Sequence, residues 1–339
     1  MGRIEDVKKD HHFVFQKYME EWIEPSENAL WILREKKKLF TTGTAGIAFK
    51  KFFYTIREIN EEEKKLLNLF IATMHPAVQE QMKVIIDAYL LPIENKAVIA
   101  EMEQFSIKRF GTKEKIPLEI KEEIEKCKNI NQVQLNNTME DFYCEIEGEL
   151  AGYIKQIKKE GIDFYYKFDK NSKYNFLFDI CVQYFRTMAL KERWIHNFGD
   201  ALQSLNIDKM GIDMNKINLS NLSFFYFWYI QSATAYALAE KNAVVSLLCN
   251  NTSIPFITAD QPIINLKCDY CKDINQVEEL ELYYPISPSK ALLIGWDCLD
   301  RKLVVAEDDV VLYNKAIANA SQQFLIGNSK EVLEQFVDI

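Results

Sequence analysis

Glycine and proline are scarce in this chain, 11 and 8 among 339 residues, and histidine is scarcer still at four. So few turn-forming residues argue against a fold of many tight hairpins and for long helices. The short catalytic motifs are missing too. There is no GxxxxGK[ST], no GxGxxG after a strand, no HExxH and no GxSxG. A P-loop ATPase, a nicotinamide-dependent dehydrogenase, a zincin and an elbow-type serine hydrolase therefore lack their signatures. Gly43-Thr44-Ala45-Gly46 is too short to cradle a phosphate. Internal repeats and low-complexity tracts are absent as well.

Excess positive charge is also lacking. The net charge of −9 excludes a globally basic nucleic-acid binder but leaves a local basic groove open. The opening "MGRIEDVKKD" has no apolar h-region, so no secretory signal is expected. Met1-Gly2 fails as a myristoylation signal because residue 6 is aspartate. The odd count of seven cysteines, at 127, 144, 181, 249, 268, 271 and 298, points to free thiols in a reducing cytoplasm. No charge interrupts residues 217–239, but Asn218, Ser220, Asn221, Gln231 and Thr234 fall within that run. It reads as a buried central helix, and no membrane association is expected.

What is present is a 48% hydrophobic chain, long enough to bury one large core across residues 1–339. "NALWILR" (28–34) and the residues after it read as strands, with an aromatic anchor at Phe52-Phe53-Tyr54. "NEEEKKLLNLFIATM" (60–74) reads as a helix capped by Asn60. The charged stretch 112–130 is ambiguous, a solvated helix or a linker. Further helices are expected over 137–160, ending at Gly161, over 174–198, and over 217–239. After residue 240 the runs "AVVSLLCN", "PFITAD", "PIINLK", "LELYYPISP", "KALLIGW" and "KLVVAE" are β-rich, followed by a helix and the short "LIGNS". The expected class is α+β. It has a large helical middle, about 60–240, and a small mixed β-sheet formed by the N-terminal strands (about 11–56) and the C-terminal third (241–339).

Candidate chemistry starts with His11 and His12 in "KKDHHFVFQKYM". Neighbouring side chains diverge by about 100° on a helix and face opposite sides of a strand. The pair therefore does not share a metal: one histidine is used, and the other packs or is solvated. A histidine satisfied by hydrogen bonds in the core is the alternative. Asp260 in "FITADQP" follows a strand broken by Pro262, which suits either a site carboxylate or an aspartate capping a loop. Gln183 and Arg186, three apart in an apolar helix, suit a buried network or an arginine that binds phosphate or carboxylate. Glu145, Glu147 and Glu149 lie close together on the preceding helix. Cys268 and Cys271 form half a zinc site with no second half, so they read as incidental, and His196 beside Trp194 reads as ordinary.

Taken in order, "HHFVFQKYM" (11–19), "ALWILRE" (29–35), "KKFFYTI" (50–56), "EIEGEL" (145–150), "QYFR" (183–186), "FITADQP" (256–262), "YPISP" (284–288) and "YNKAIANAS" (313–321) resemble a bacterial family called domain of unknown function 4238. Two positions depart from its pattern: Phe15 stands for the usual proline and Ala259 for the usual serine. The resemblance implies a fold, a residue set and an association with bacterial antiviral defence or toxicity, and no particular reaction.

The leading expectation is a hydrolase, a phosphodiesterase or nuclease acting on nucleic acid or a nucleotide, with a divalent metal ion as the candidate cofactor. His11 or His12 would act as base or ligand, Asp260 as its partner carboxylate, and Arg186 as the oxyanion stabiliser. Gln183, Glu147 and Tyr18 would contact substrate. The alternative is a non-catalytic sensor or interaction module, with a protein partner or a second copy, in which the same residues form a buried structural network.

Overall fold

Asn60 opens the first long helix with the chemistry its sequence promises. Its side chain accepts the Glu63 N–H at 2.9 Å, and the Glu63 carboxylate accepts the Asn60 N–H at 2.9 Å, a capping box. The computed structural model describes residues 6–193, 195, 211–268, 270, 279–297 and 300–338. In chain order they form β1 (Asp10–His12), α1 (Gln16–Met19), β2 (Leu30–Arg34), β3 (Lys38–Thr42), β4 (Phe49–Lys51), α2 (Glu61–Thr73), α3 (Pro76–Phe110), α4 (Leu118–Glu160) and α5 (Lys170–Phe185). There follow α6 (Leu219–Glu240), β5 (Val244–Asn250), β6 (Thr258–Ala259), β7 (Ile264–Asn265), β8 (Leu282–Ser287), β9 (Lys290–Gly295), β10 (Lys302–Val305), α7 (Glu307–Ala320), β11 (Phe324–Gly327) and α8 (Lys330–Glu334). The class is α+β.

By their contacts the residues divide into two compact units. The first comprises Met1–His11, Lys50–Glu145 and Asn206–Phe225, and the second His12–Phe49, Ile146–Leu205 and Tyr226–Ile339. The boundary falls inside α4 and α6, and it separates His11 from His12.

The first unit is helical. Pro92 lies inside α3, and Asn131 of α4 donates to the Pro92 carbonyl at 2.8 Å. Gly111, at φ 91°, and Gly161, at φ 82°, end α3 and α4 in the left-handed region that favours glycine. Of the ambiguous stretch 112–130, Lys113–Lys115 form a short 3-10 turn and residues 118–130 are the first turns of α4, which starts directly after Pro117. Buried Glu63 also accepts the Asn218 N–H at 2.9 Å and Asn221 Nδ2 at 3.2 Å, which ties the start of α2 to the start of α6.

The second unit contains two sheets where the sequence suggests one. An antiparallel sheet runs β3-β2-β11-β6, so the N-terminal strands do pair with a C-terminal one. A mixed sheet runs β10-β5-β9-β8-β7, with β10 parallel to β5 and the remaining pairs antiparallel. The division falls at Asp260-Gln261-Pro262-Ile263, between β6 and β7. Proline has no N–H for a ladder, so pairing stops and the chain changes sheets there. Leu33, Phe256, Tyr283, Val310, Ile317 and Leu325 belong to one apolar core, against which Tyr313 of α7 stacks on Tyr283 with ring centres 4.4 Å apart.

Helix α5 is shorter than its apolar pattern suggests. It closes at Phe185 with Arg186 as C-cap, and helix resumes at Met188. Side-chain bonds from Arg186 and Thr187 to other segments hold the interruption. Among the described residues no helix is long and apolar enough to cross a membrane. His196, Trp194 and Cys271 lie outside the described residues.

Candidate functional site

The histidine pair sits on β1, and its two rings part as strand geometry requires. His11, in the first unit, is fully buried. Its Nδ1 accepts the Tyr54 N–H at 2.9 Å, which leaves Nε2 as the donor to the Lys8 carbonyl at 3.2 Å. The ring stacks on Tyr54 at 5.8 Å, and burial holds its pKa below the ordinary histidine value. Both nitrogens are occupied in the neutral form, so His11 is a satisfied core histidine. His12, in the second unit, is half-buried against the Phe49 ring at 5.6 Å.

Tyr18, Glu147, Gln183, Arg186 and Asp260 lie in the second unit. Phe13 offers one carbonyl to two donors, Gln183 Nε2 and Arg186 Nε, each at 3.2 Å. The Arg186 guanidinium also pairs with Glu147 at 2.6 Å, with side-chain exposures of 1% and 20% respectively. That nearly dry fork is charge-assisted at the carboxylate and directional at the carbonyl. Tyr18 is buried, and its hydroxyl donates to the Pro285 carbonyl at 2.7 Å and shares a hydrogen bond with Thr258 Oγ1 at 2.7 Å. Its ring stacks on Tyr284, and burial drives the phenol pKa far up. No ionised phenolate is available there.

Asp260 is 5% exposed, and both carboxylate oxygens are taken. They accept Ser321 Oγ at 2.9 Å, the Gln322 N–H at 3.2 Å and the Gln323 N–H at 2.8 Å, in the link from α7 to β11. Burial raises its pKa to about 6 even though these bonds oppose the shift. Arg186 pairs with Glu147 and Asp260 caps a turn, so these two predicted partners do not pair with each other.

The rest of the 256–262 motif is bonded in the same way. Trp22 Nε1 donates to the Phe256 carbonyl at 3.0 Å, and the Ile257 N–H donates to Asn314 at 3.0 Å. Gln261 donates to the Tyr184 carbonyl at 3.1 Å and accepts from Thr187. Thr258, Gln261 and Asn314 are network members that sequence reasoning did not single out. Thr258 is a polar residue in an apolar run, the signal that could have marked it, while Gln261 beside Asp260 and Asn314 beside Lys315 carry no such signal. Gln183 Oε1 and the Tyr283 and Tyr284 hydroxyls are among the buried polar atoms with no hydrogen-bond partner among the described residues.

Sequence reasoning also missed Asp179, one turn before Gln183 on α5. It is 7% exposed and has no hydrogen-bond partner among the described residues. Burial, and then the nearby Glu149 carboxylate, push its pKa to about 8. A cleft of about 340 Å³ in the first unit, lined in part by Lys96, Ile99, Glu103 and Lys128, contains none of the predicted site residues. Glu103 there lies between Lys113 and Lys128, whose hydrogen bonds lower its pKa to about 2. Among the described residues no three His, Cys, Asp or Glu side chains are arranged to hold a metal.

The second unit is therefore that of an α+β protein whose N-terminal segment, Q-x-x-R helix and sheet crossover meet in one buried polar network. The family described as protein of unknown function (DUF4238) is matched over residues 10–331, and the chain belongs to it. Comparison with curated proteins and with solved structures finds no match.

Proposed function

We propose that this protein is a non-catalytic interaction or sensing module, in which the histidine, aspartate and arginine residues are architectural. The observation that carries this reading is the occupancy of Asp260: Ser321, Gln322 and Gln323 take both oxygens, leaving none to orient an imidazole or hold a metal. Arg186 supports it, because its guanidinium is matched to Glu147 and the Phe13 carbonyl while almost fully buried. A phosphoryl group would have to displace that carboxylate to reach it. Cytoplasmic residence belongs to the same proposal, supported by the free thiols of Cys127, Cys144, Cys181, Cys249 and Cys268.

The test is a nuclease and nucleotide-hydrolysis panel with Mg²⁺, Mn²⁺ and Zn²⁺ on the wild type, His12→Ala and Asp260→Asn, alongside urea unfolding. The expected result is no turnover above buffer for any of the three proteins and a lower unfolding midpoint for Asp260→Asn. Turnover by the wild type that Asp260→Asn abolishes while still folded would overturn the proposal. It would favour the rival reading, a phosphodiesterase or nuclease in bacterial defence.

A further inference from the structure

Helix α3 carries an apolar stripe that its own unit leaves uncovered. Val84, Leu91, Val98 and Phe105 recur every seven residues, Met102 lies one turn beyond Val98, and all five are 43% to 65% exposed. Apolar side chains at this period form a seam that buries against another helix. The stripe runs about 30 Å along the axis. It is not a spare part of the core, because Val78, Met82, Ile85 and Tyr89 already bury another face of the same helix.

One flank of the stripe is acidic. Glu80, Asp87, Glu94 and Glu101 each stand four residues before an apolar member, so every acid is the surface neighbour of a seam residue, and all four are exposed. Glu80 pairs with Lys83 at 2.9 Å, while Asp87, Glu94 and Glu101 form no ion pair among the described residues. That column selects the occupant. A second copy would bring the same acids to the seam, and an anionic membrane surface would be repelled. A helix with basic residues beside its apolar ridge satisfies both features.

We infer that the outer face of α3 is the docking surface for an amphipathic helix of a partner protein, apolar at the seam and carrying lysine or arginine along the flank. This deepens the interaction reading and rests on it. The test uses the full-length chain and two labelled synthetic helical peptides of about four heptads, with leucine at the seam and either lysine or glutamate on the flanks. Fluorescence anisotropy at low salt should show binding of the lysine peptide alone. Leu91→Glu with Val98→Glu, at exposed positions that leave the unfolding midpoint unchanged, should weaken it by at least about tenfold. Glu94→Lys with Glu101→Lys should shift preference to the glutamate peptide. No binding, equal binding of both peptides, or binding indifferent to the seam substitutions would overturn the inference. So would sedimentation showing a wild-type dimer that Leu91→Glu with Val98→Glu dissolves, which would assign the face to a second copy. Turnover in the hydrolysis panel would remove the interaction reading without altering these titrations, and failed titrations would leave the network around Asp260 and Arg186 as described.

Discussion

Replacing Asp179 by asparagine should stabilise this protein at alkaline pH, the reverse of what removing a native polar group usually does. Asp179 is nearly buried beside Glu149, and its pKa rises from 3.8 to about 8. Above pH 4 the unfolded chain releases this proton while the folded chain keeps it, so stability falls as pH rises, until the folded carboxyl ionises near pH 8. Each pH unit in that range is worth about 1.4 kcal/mol. The window from pH 6.5 to 8 isolates the effect, because Asp260 titrates near 6 and the His11 pKa is held below its ordinary value. Across it the wild type should lose about 2 kcal/mol relative to Asp179→Asn. Glu149→Gln, which removes the neighbouring charge but not the burial, should lose an intermediate amount. Urea unfolding at the two pH values, with slopes compared between proteins, measures this directly. Parallel stability profiles for the wild type and Asp179→Asn would refute the argument that the buried carboxyl holds its proton.

Three further outcomes follow from the network. Glu147→Ala leaves the Arg186 guanidinium buried without its carboxylate and should cost about 3 kcal/mol in urea unfolding, with Glu147→Ala/Arg186→Met recovering part of the loss. Tyr18→Phe removes a donor to the Pro285 carbonyl and a partner of Thr258, and should cost about 1–3 kcal/mol without altering the far-UV spectrum. Protonating His11 removes the acceptor for the Tyr54 N–H. Because its pKa is depressed in the fold, stability should fall on acidification below the ordinary histidine value, and hydrogen exchange should find the Tyr54 amide losing protection over the same range.

Much of the local structure was legible because it depends on neighbours within one turn. The Asn60 cap, the helix end at Gly161, the β-rich runs after residue 240 and the opposed faces of His11 and His12 all follow from backbone geometry over two to four residues. The seven-residue spacing on α3 is likewise written in the chain. Which side of that helix is covered is not, because the covering side chains come from other segments.

The fate of the candidate residues was a tertiary decision throughout. An aspartate after a strand can cap a loop or hold a metal with equal local propriety; Asp260 is a cap because residues 321–323 bring their N–H groups to it. Arg186 ends a helix that its own sequence would continue, since the Phe13 carbonyl and Glu147 claim its side chain. Asp179 looked like one more polar residue until burial gave it a retained proton. Local rules act over a few residues through the bonded chain. Desolvation and hydrogen-bond pairing act through space, between groups that share no sequence signal, and at these positions they set the chemistry.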